Sequence, residues 1–160
     1  MGYSIFRWWI KVADSLEKQL AKIAKQLQPK INKIMQGEVA DNVIDMAMNR
    51  VELDVYRAYI PSHYKRTGKL KTSWKTDKTK DGVSIYNTRF DSDTRKYIPS
   101  VIETGRGYDY YLTSKGWTIP RPENDERPFI ANTKEKIVKT GIVQDILAEE
   151  LERQGIKIEY

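Results

Sequence analysis

Histidine and carboxylate side chains, which most often carry acid–base chemistry, show no recognisable catalytic spacing in this chain. His63 is the only histidine and lies in a Pro-Ser-His-Tyr sequence that is typical of a solvated loop. A histidine base or metal site needs partners at a defined spacing, and the sequence around His63 offers none. Several carboxylates could meet in space, but no recognisable spacing places two of them on one surface. They are Glu103, Asp109, Glu123, Asp125 and Glu126.

Phosphate-binding and thiol chemistry are also disfavoured. The sequence Gly105-Arg106-Gly107 lacks the strand-to-helix setting and the following lysine of a phosphate-binding loop. The chain contains no cysteine, which excludes disulfides, thiolate nucleophiles and cysteine-based zinc sites. We therefore predict no catalytic residue, no cofactor and no metal, and a protein that is not an enzyme.

Length and charge set the outer limits for the fold and its partners. A chain of 160 residues is about one domain long. Its 28 Lys and Arg against 22 Asp and Glu give a net charge of +6, which tolerates a polyanionic partner without demanding one. No run reaches the roughly 18 apolar residues of a membrane span, and the N-terminus lacks a signal-peptide core. We expect a soluble intracellular protein.

A basic stretch between residues 64 and 80 could bind nucleic acid. Tyr64 and Trp74 could stack on bases or sugars beside its cations. The alternative interpretation is a solvated basic face with Trp74 in the core. Because the stretch resembles loop and strand rather than a groove-reading helix, it favours attraction to the nucleic-acid backbone without sequence readout. The cations are Lys65, Arg66, Lys69, Lys71, Lys75, Lys78 and Lys80.

The N-terminal third predicts an amphipathic helix. Nine apolar residues recur at steps of three and four, so they form one stripe. Pro29 removes an amide donor and disfavours helical geometry at Gln28, which predicts a break or kink there. Two helices or one bent helix fit equally, and a further amphipathic helix follows Gly37 and ends before Pro61. The stripe consists of Ile5, Trp8, Val12, Leu16, Leu20, Ile23, Leu27, Ile31 and Ile34.

The N-terminal stripe has more than one candidate partner. Part of it could contact another subunit, and the alternative is ordinary packing within the chain. Trp8 and Trp9, beside Arg7 and Lys11, could also lie at a membrane headgroup boundary. The stripe continues regularly into a helix that can pack on protein, so we favour protein contacts and predict no membrane association.

From Ser73 the period changes from about 3.6 to about 2, which predicts a β-hairpin. Asp81-Gly82 supplies the backbone conformations of a tight turn. Before the hairpin, Gly68 is expected to adopt a left-handed conformation and to let a short helical turn place Leu70 on the core, so that Gly68→Val should abolish soluble protein. The alternating residues are Trp74, Thr76, Lys78, Val83, Ile85 and Asn87.

The C-terminal half combines irregular segments with one helix whose two ends are marked by capping residues. Residues 96–104 predict a short helix or strand that Pro99 interrupts and Gly105 closes, and residues 106–126 predict a long irregular loop. Asn132 and Gly155 are the predicted caps of a single final helix, and residues 156–160 could add a last strand. The apolar stripe of that helix is Val138, Ile142, Ile146, Leu147 and Leu151.

These elements predict an α+β fold, in which a small antiparallel sheet is packed by a long N-terminal helix region and a C-terminal helix. We place an N-terminal amphipathic helical extension at residues 1–36. A single α+β domain follows at residues 37–160.

Three short motifs follow one another in a fixed order. The first spans residues 66–74, the second runs from Tyr97 to Glu103-Thr104-Gly105, and the third is Arg127-Pro128-Phe129-Ile130. Their order and spacing resemble the neck or tail-completion family of tailed double-stranded DNA phages, the small proteins at the junction of head and tail. The resemblance covers about residues 39–154 and departs in residues 1–36 and 106–126. The matching residues are Thr67, Gly68, Leu70, Ser73, Tyr97, Glu103, Gly105, Arg127, Pro128 and Phe129.

The resemblance implies a structural virion protein that assembles in the host cytoplasm and lies in the neck. It implies a homo-oligomeric ring around the DNA exit channel, for which six-fold symmetry is favoured and twelve-fold symmetry stays open. The partners it implies are other neck, connector and tail-tube proteins, and it leaves open a contact with genomic DNA.

On this hypothesis the important residues lie at interfaces. Aromatic side chains on an irregular segment give large contact area at low entropic cost, although one or two of them could cover the sheet instead. A second group is expected to face DNA or an acidic partner ring, namely Arg66, Lys69 and Lys71. Glu103 is expected to pair with a basic neighbour or to cap its own loop, while Thr67, Gly68 and Pro128 serve the fold. The predicted interface residues are Tyr108, Tyr110, Tyr111, Trp117, Trp8 and Trp9.

A different functional class also fits the composition. A small basic nucleic-acid-binding protein would use the same cationic stretch and would bind as a monomer in a salt-sensitive way. Ring assembly without nucleic acid would separate the two hypotheses.

Overall fold

A computed structural model describes residues 3–58, 66–93, 95–105 and 126–157, with side chains from Glu17 onward. The architecture is α+β, as predicted, with helices packed around one antiparallel hairpin. Within these ranges no helix is long and apolar enough to cross a membrane.

A single helical run dominates the N-terminal half. Helix α1 (Tyr3–Ile34) passes into a π-helical segment, π1 (Met35–Val39), then into α2 (Ala40–Arg50) and a second π segment, π2 (Val51–Arg57). The residues at each junction keep right-handed helical angles, so no loop separates the parts.

Of the two alternatives at Gln28, the break is wrong, because α1 continues through Pro29 to Ile34. The kink stays a prediction. The change in backbone hydrogen bonding comes instead at π1, which contains Gly37. Glycine has the weakest helix propensity after proline, and a π segment accommodates an extra residue within one turn. The helix predicted to follow Gly37 is therefore a continuation of the first.

The hairpin confirms the period-2 prediction. Strand β1 (Trp74–Thr79) pairs antiparallel with β2 (Gly82–Asn87), and Thr79 opposes Gly82. The two turn residues are thus Lys80 and Asp81, one position earlier than predicted from Asp81-Gly82.

The long helix holds the hairpin by its turn. The Asn32 side-chain amide donates to the Lys80 carbonyl at 3.0 Å, and the Gln36 amide donates to the Gly82 carbonyl at 3.3 Å. These two helical residues are four apart and therefore share a face. One helix face fixes the position of the sheet.

Two short helices flank the hairpin. Gly68 has a φ of +71° and precedes α3 (Lys69–Thr72), which buries Leu70 as predicted. Helix α4 (Ile98–Thr104) ends at Gly105, whose φ is +63°. Pro99 lies in the first turn of α4, where its missing amide proton costs no helical hydrogen bond, so it starts the helix rather than interrupting it.

The single C-terminal helix of the sequence prediction is two helices. Gly141, with a φ of +65°, separates α5 (Phe129–Thr140) from α6 (Ile142–Arg153). This break removes Val138 from the predicted stripe, and its side chain is 81% exposed.

The predicted ends of the C-terminal helix are right at one end only. Pro128 rather than Asn132 precedes α5, and the Asn132 amide instead donates to the Asp54 carboxylate at 2.8 Å. At the other end, Gly155 has a φ of +79° just after α6, as expected. Residues 156 and 157 form no strand, and the remainder of the predicted last strand lies outside the described residues.

Two apolar clusters hold these elements together. The motif core joins the end of the long helix to α3, α4 and α5, and its buried members are Val51, Val55, Leu70, Ile102 and Phe129. The helix core joins α1, π1 and α6, and its buried members are Ile34, Val39 and Leu151. Ile31 and Met35 also pack on the helix core, so the end of the predicted extension, residues 1–36, packs against the body of the domain.

Gly68 and Gly37 allow a matched test of backbone strain. A Cβ at Gly68 would meet no atom within 4 Å, so the cost of Gly68→Val that the structure shows is that of a left-handed backbone, about 1–3 kcal/mol. That is a fraction of a typical domain stability of about 5–15 kcal/mol, and we expect a destabilised but soluble protein. Gly37, in a helical segment with open space around it, should gain about 0.5–1 kcal/mol as alanine. Denaturant unfolding of both variants measures the two changes in unfolding free energy, which should have opposite signs. A Gly68→Val protein as stable as the parent would show that the left-handed backbone at Gly68 costs nothing.

Candidate functional site

Motif one closes the end of the long helix. The Arg66 guanidinium donates to the carbonyls of Val55, at 3.4 Å, and Tyr56. It also lies over the Tyr56 ring, 5.2 Å from the centroid, in a cation–π arrangement. The last carbonyls of a helix lack partners within the helix and attract cations, so Arg66 stabilises the end of π2.

Lys71 is held by the same helix. Its Nζ lies 3.2 Å from Glu52 Oε2, and both side chains are partly buried. Lys69 is exposed on α3. Of the three cations assigned to a surface that faces DNA or an acidic partner, two thus contact their own long helix. Their predicted role in binding stays a prediction.

Asn87 links motif one to motif two. The side chain, 2% exposed, donates to the Leu70 carbonyl at 2.7 Å and accepts from the Arg89 amide at 2.9 Å. The Asn87 carbonyl accepts from the Tyr97 hydroxyl at 2.9 Å, and partial burial raises the pKa of Tyr97 above its usual value. One buried asparagine therefore fixes α3 and the end of β2 through its side chain, and the start of α4 through its backbone carbonyl.

Glu103 links motif two to motif three. Its carboxylate oxygens accept from the backbone amides of Ile130, at 2.9 Å, and Ala131, at 2.8 Å. These amides belong to the first turn of α5, where helical amides lack partners and the helix dipole favours negative charge. In the described contacts Glu103 therefore caps a helix far along the chain rather than its own loop, and its predicted pairing with a basic neighbour stays a prediction.

Aromatic packing completes the motif core. Phe129 is fully buried, and its ring meets Trp74 in an edge-to-face arrangement with centroids 6.4 Å apart. The Arg127 amide donates to the Ile102 carbonyl at 3.1 Å beside this contact. The three motifs thus form one cluster.

The N-terminal stripe lies in two environments. Ile31 and Ile34 pack in the helix core, whereas Leu20 and Ile23 are 57% and 50% exposed. All four residues belong to one regular stripe on one helix. The stripe therefore continues beyond the body of the domain as an exposed apolar surface, here called the exposed stripe (Leu20 and Ile23).

Comparison with known proteins places the chain in a family. The family model YomN matches residues 19–153. The chain belongs to the YomN family. A relative, the SPbeta prophage-derived uncharacterized protein YomN of Bacillus subtilis (strain 168), is 41% identical over 121 residues, covering 76% of this chain and 81% of that protein. No solved structure matches.

The family match indicates a phage-associated protein. It includes the exposed stripe and all three motifs, and it begins after Trp8 and Trp9. The neck resemblance and the YomN match thus agree on a phage origin, while a role at the head–tail junction remains a hypothesis.

Several predicted interface residues of this YomN-family chain lie outside the described structure. Trp8 and Trp9 belong to α1, but their side chains are not described. The aromatic residues of the long loop are also outside the described residues, namely Tyr108, Tyr110, Tyr111 and Trp117. Their roles as contacts stay predictions, as does the accompanying loop prediction.

Sequence reasoning missed the polar residues that join the motifs. Asn87 was assigned only to a strand, Asn132 only to a cap, and Asn32 and Gln36 were not singled out. An asparagine at the end of a strand, followed by Thr-Arg rather than by turn residues, was the one available signal. Within the described ranges, no group of three or more acidic, histidine or cysteine residues could hold a metal ion.

Proposed function

We infer that this YomN-family chain is a structural virion protein of a tailed double-stranded DNA phage. It forms part of the neck that joins head to tail, as a ring-forming subunit around the DNA exit channel. It assembles in the host cytoplasm with copies of itself and with connector and tail-tube proteins.

The exposed stripe is the observation that carries this proposal. Leu20 and Ile23 each expose at least half of their surface, although the same stripe is core two turns later. Exposing adjacent large aliphatic side chains on a long helix is unfavourable unless a partner covers them. Full burial of each such side chain contributes about 1.5–3 kcal/mol of transfer free energy. A subunit interface provides that cover.

The polar residues in and between the motifs support a structural role. Arg66, Asn87 and Glu103 direct their hydrogen-bonding groups to backbone atoms of their own fold. Side chains engaged in this way position elements. The motif cluster then holds the long helix in place for contacts with neighbouring subunits.

The first experiment is the mass of the purified protein in solution. Light scattering across a concentration series, with and without DNA, should give a closed oligomer, or a monomer that forms rings when portal-side or tail-tube proteins are added. A strict monomer that ignores these partners and binds DNA in a salt-sensitive way would overturn the proposal and support the nucleic-acid-binding alternative.

A paired variant tests the exposed stripe directly. Leu20→Lys with Ile23→Lys should abolish association while leaving the unfolding free energy within about 0.5 kcal/mol of the parent, because both sites are solvated in the subunit. The matched control is Lys22→Ala with Lys25→Ala, which changes exposed residues on the opposite face of the same turns. Assembly that survives the lysines, with rings of normal appearance in electron micrographs, would contradict the assignment.

A genetic test addresses the position in the virion. Deleting the gene for the Bacillus subtilis relative from its prophage and inducing lysis should yield separate heads and tails, and supplying this chain should restore joined particles. Joined, infectious particles without the relative would count against a neck role for this family.

A further inference from the structure

The outer edge of β1 carries backbone groups that point away from β2. The Ser73 carbonyl accepts from the Thr88 amide at 2.7 Å. The backbone groups of every second residue from Ser73 onward therefore face β2. Directions alternate along an antiparallel strand, and the amides and carbonyls of Trp74, Thr76 and Lys78 therefore face outward. Within the described residues, none of these outward groups has a hydrogen-bond partner.

The outward edge is accessible as well as unpaired. Every residue of β1 after Trp74 is exposed. The described sheet has only two strands, and such a hairpin is marginal on its own. An open edge of this kind is a template for another strand, and β1 contains no proline or bulge to prevent pairing. Its charged residues, Lys75, Asp77 and Lys78, restrict the pairing to a strand of complementary charge.

We propose that β1 pairs edge to edge with β1 of a second copy of this chain, antiparallel about a two-fold axis at Thr76. Thr76 then opposes its own counterpart, and Trp74 opposes Lys78 of the second copy. The outward groups on both strands are satisfied by about six backbone hydrogen bonds, which joins the two hairpins into one four-stranded sheet.

The charges of Lys75 and Asp77 favour this register over the two registers that are shifted by two residues. Lys75 lies opposite Asp77 of the second copy, and the symmetry repeats this pair. Sliding the strands by two residues either way places Lys75 opposite Lys75 or Asp77 opposite Asp77, which is unfavourable for directly opposed side chains. Lys78 also lies beside the Trp74 indole of the second copy, within the reach of a cation–π contact.

This pairing stands apart from the neck proposal. A two-fold contact uses the same patch on both copies and does not by itself close a cyclic ring. The proposed dimer and the proposed ring are therefore separate assemblies of the chain. A ring without the dimer, or a dimer without the ring, remains a distinct experimental result.

Complementary charge variants provide the sharpest test. Asp77→Lys places lysines opposite lysines, and Lys75→Asp places aspartates opposite aspartates, so each variant alone should sediment at the monomer mass of 18.7 kDa. Mixing the two in equal amounts makes every cross-strand pair attractive and should restore a species of twice that mass. Sedimentation velocity across a concentration series measures all three samples and the parent.

A backbone variant separates edge pairing from side-chain charge. Thr76→Pro removes one outward amide and leaves the bonds to β2 intact, so it should abolish the dimer. Thr76→Val retains the amide and is the control that should dimerise. Circular dichroism melting of both verifies that the hairpin still folds.

The outcomes decide the proposal in either direction. A parent dimer that is lost in Asp77→Lys, Lys75→Asp and Thr76→Pro, and recovered on mixing, supports it. A parent monomer at all concentrations overturns it, as does an oligomer that a folded Thr76→Pro protein retains. If that retained oligomer is a ring, the neck proposal survives while the edge pairing does not.

Discussion

The Phe129→Ala variant is expected to lose about 3–5 kcal/mol of unfolding free energy, the range for truncation of a buried aromatic residue. Phe129 is 0% exposed, and its ring contacts Trp74 in the centre of the motif core. Alanine would leave a cavity where the long helix, α3, α4 and α5 meet. It would also remove the side chain that anchors the start of α5.

Denaturant unfolding followed by circular dichroism measures this loss. The control is Val138→Ala on the same helix, where the side chain is 81% exposed and the change should stay within about 0.5 kcal/mol. Phe129→Leu, which fills part of the cavity, should fall between the two. A Phe129→Ala loss no larger than that of the control would show that Phe129 is not the centre of this core.

The Asn87→Ala variant is expected to lose about 2–3 kcal/mol, although it removes only a small polar group. The Asn87 side-chain amide donates to the Leu70 carbonyl at 2.7 Å, and its side-chain oxygen accepts from the Arg89 backbone amide at 2.9 Å. Alanine leaves the Leu70 carbonyl unpaired in a buried site. The cost is that of stranding a polar group, which exceeds the net value of the hydrogen bond itself.

Two comparisons make the Asn87 result specific. Asn49→Ala changes an exposed asparagine on α2 and should be neutral or slightly stabilising, because alanine has the higher helix propensity. Asn87→Asp keeps the acceptor but loses the amide donor to Leu70, so it should also be destabilised. An Asn87→Asp protein as stable as the parent would rule out the donor role.

Local signals in the sequence predicted the elements that depend on neighbours along the chain. The alternation around Asp81-Gly82 predicted the hairpin, with an error of one residue in its turn. Gly68, Gly105 and Gly155 were expected in turns or caps, and all three have a positive φ. These predictions succeed because periodicity and glycine conformation are set within a few residues.

Predictions of where helices stop were less reliable. Pro29 was expected to break or kink α1. The helix continues without a break, since packing of Ile31 and Ile34 in the helix core stabilises the turns that follow. Gly141 was not expected to divide the C-terminal helix, although glycine at a left-handed position is a common helix end. At Pro29 tertiary contacts outweigh a local penalty of about 3 kcal/mol. At Gly141 the local preference of glycine for the left-handed conformation ends the helix.

The sequence by itself determined the fold class, the hairpin, the amphipathic stripe and the three motifs in their order. Only the tertiary structure decided how the motifs are joined. Glu103 caps α5, Asn87 donates to the Leu70 carbonyl of α3, and Arg66 donates to the last carbonyls of the long helix. It also decided which part of the stripe is core and which is exposed. A hydrogen bond between residues far apart leaves no periodic trace, because its geometry depends on the packing of several elements at once, whereas a helical stripe or a glycine turn is encoded in consecutive residues.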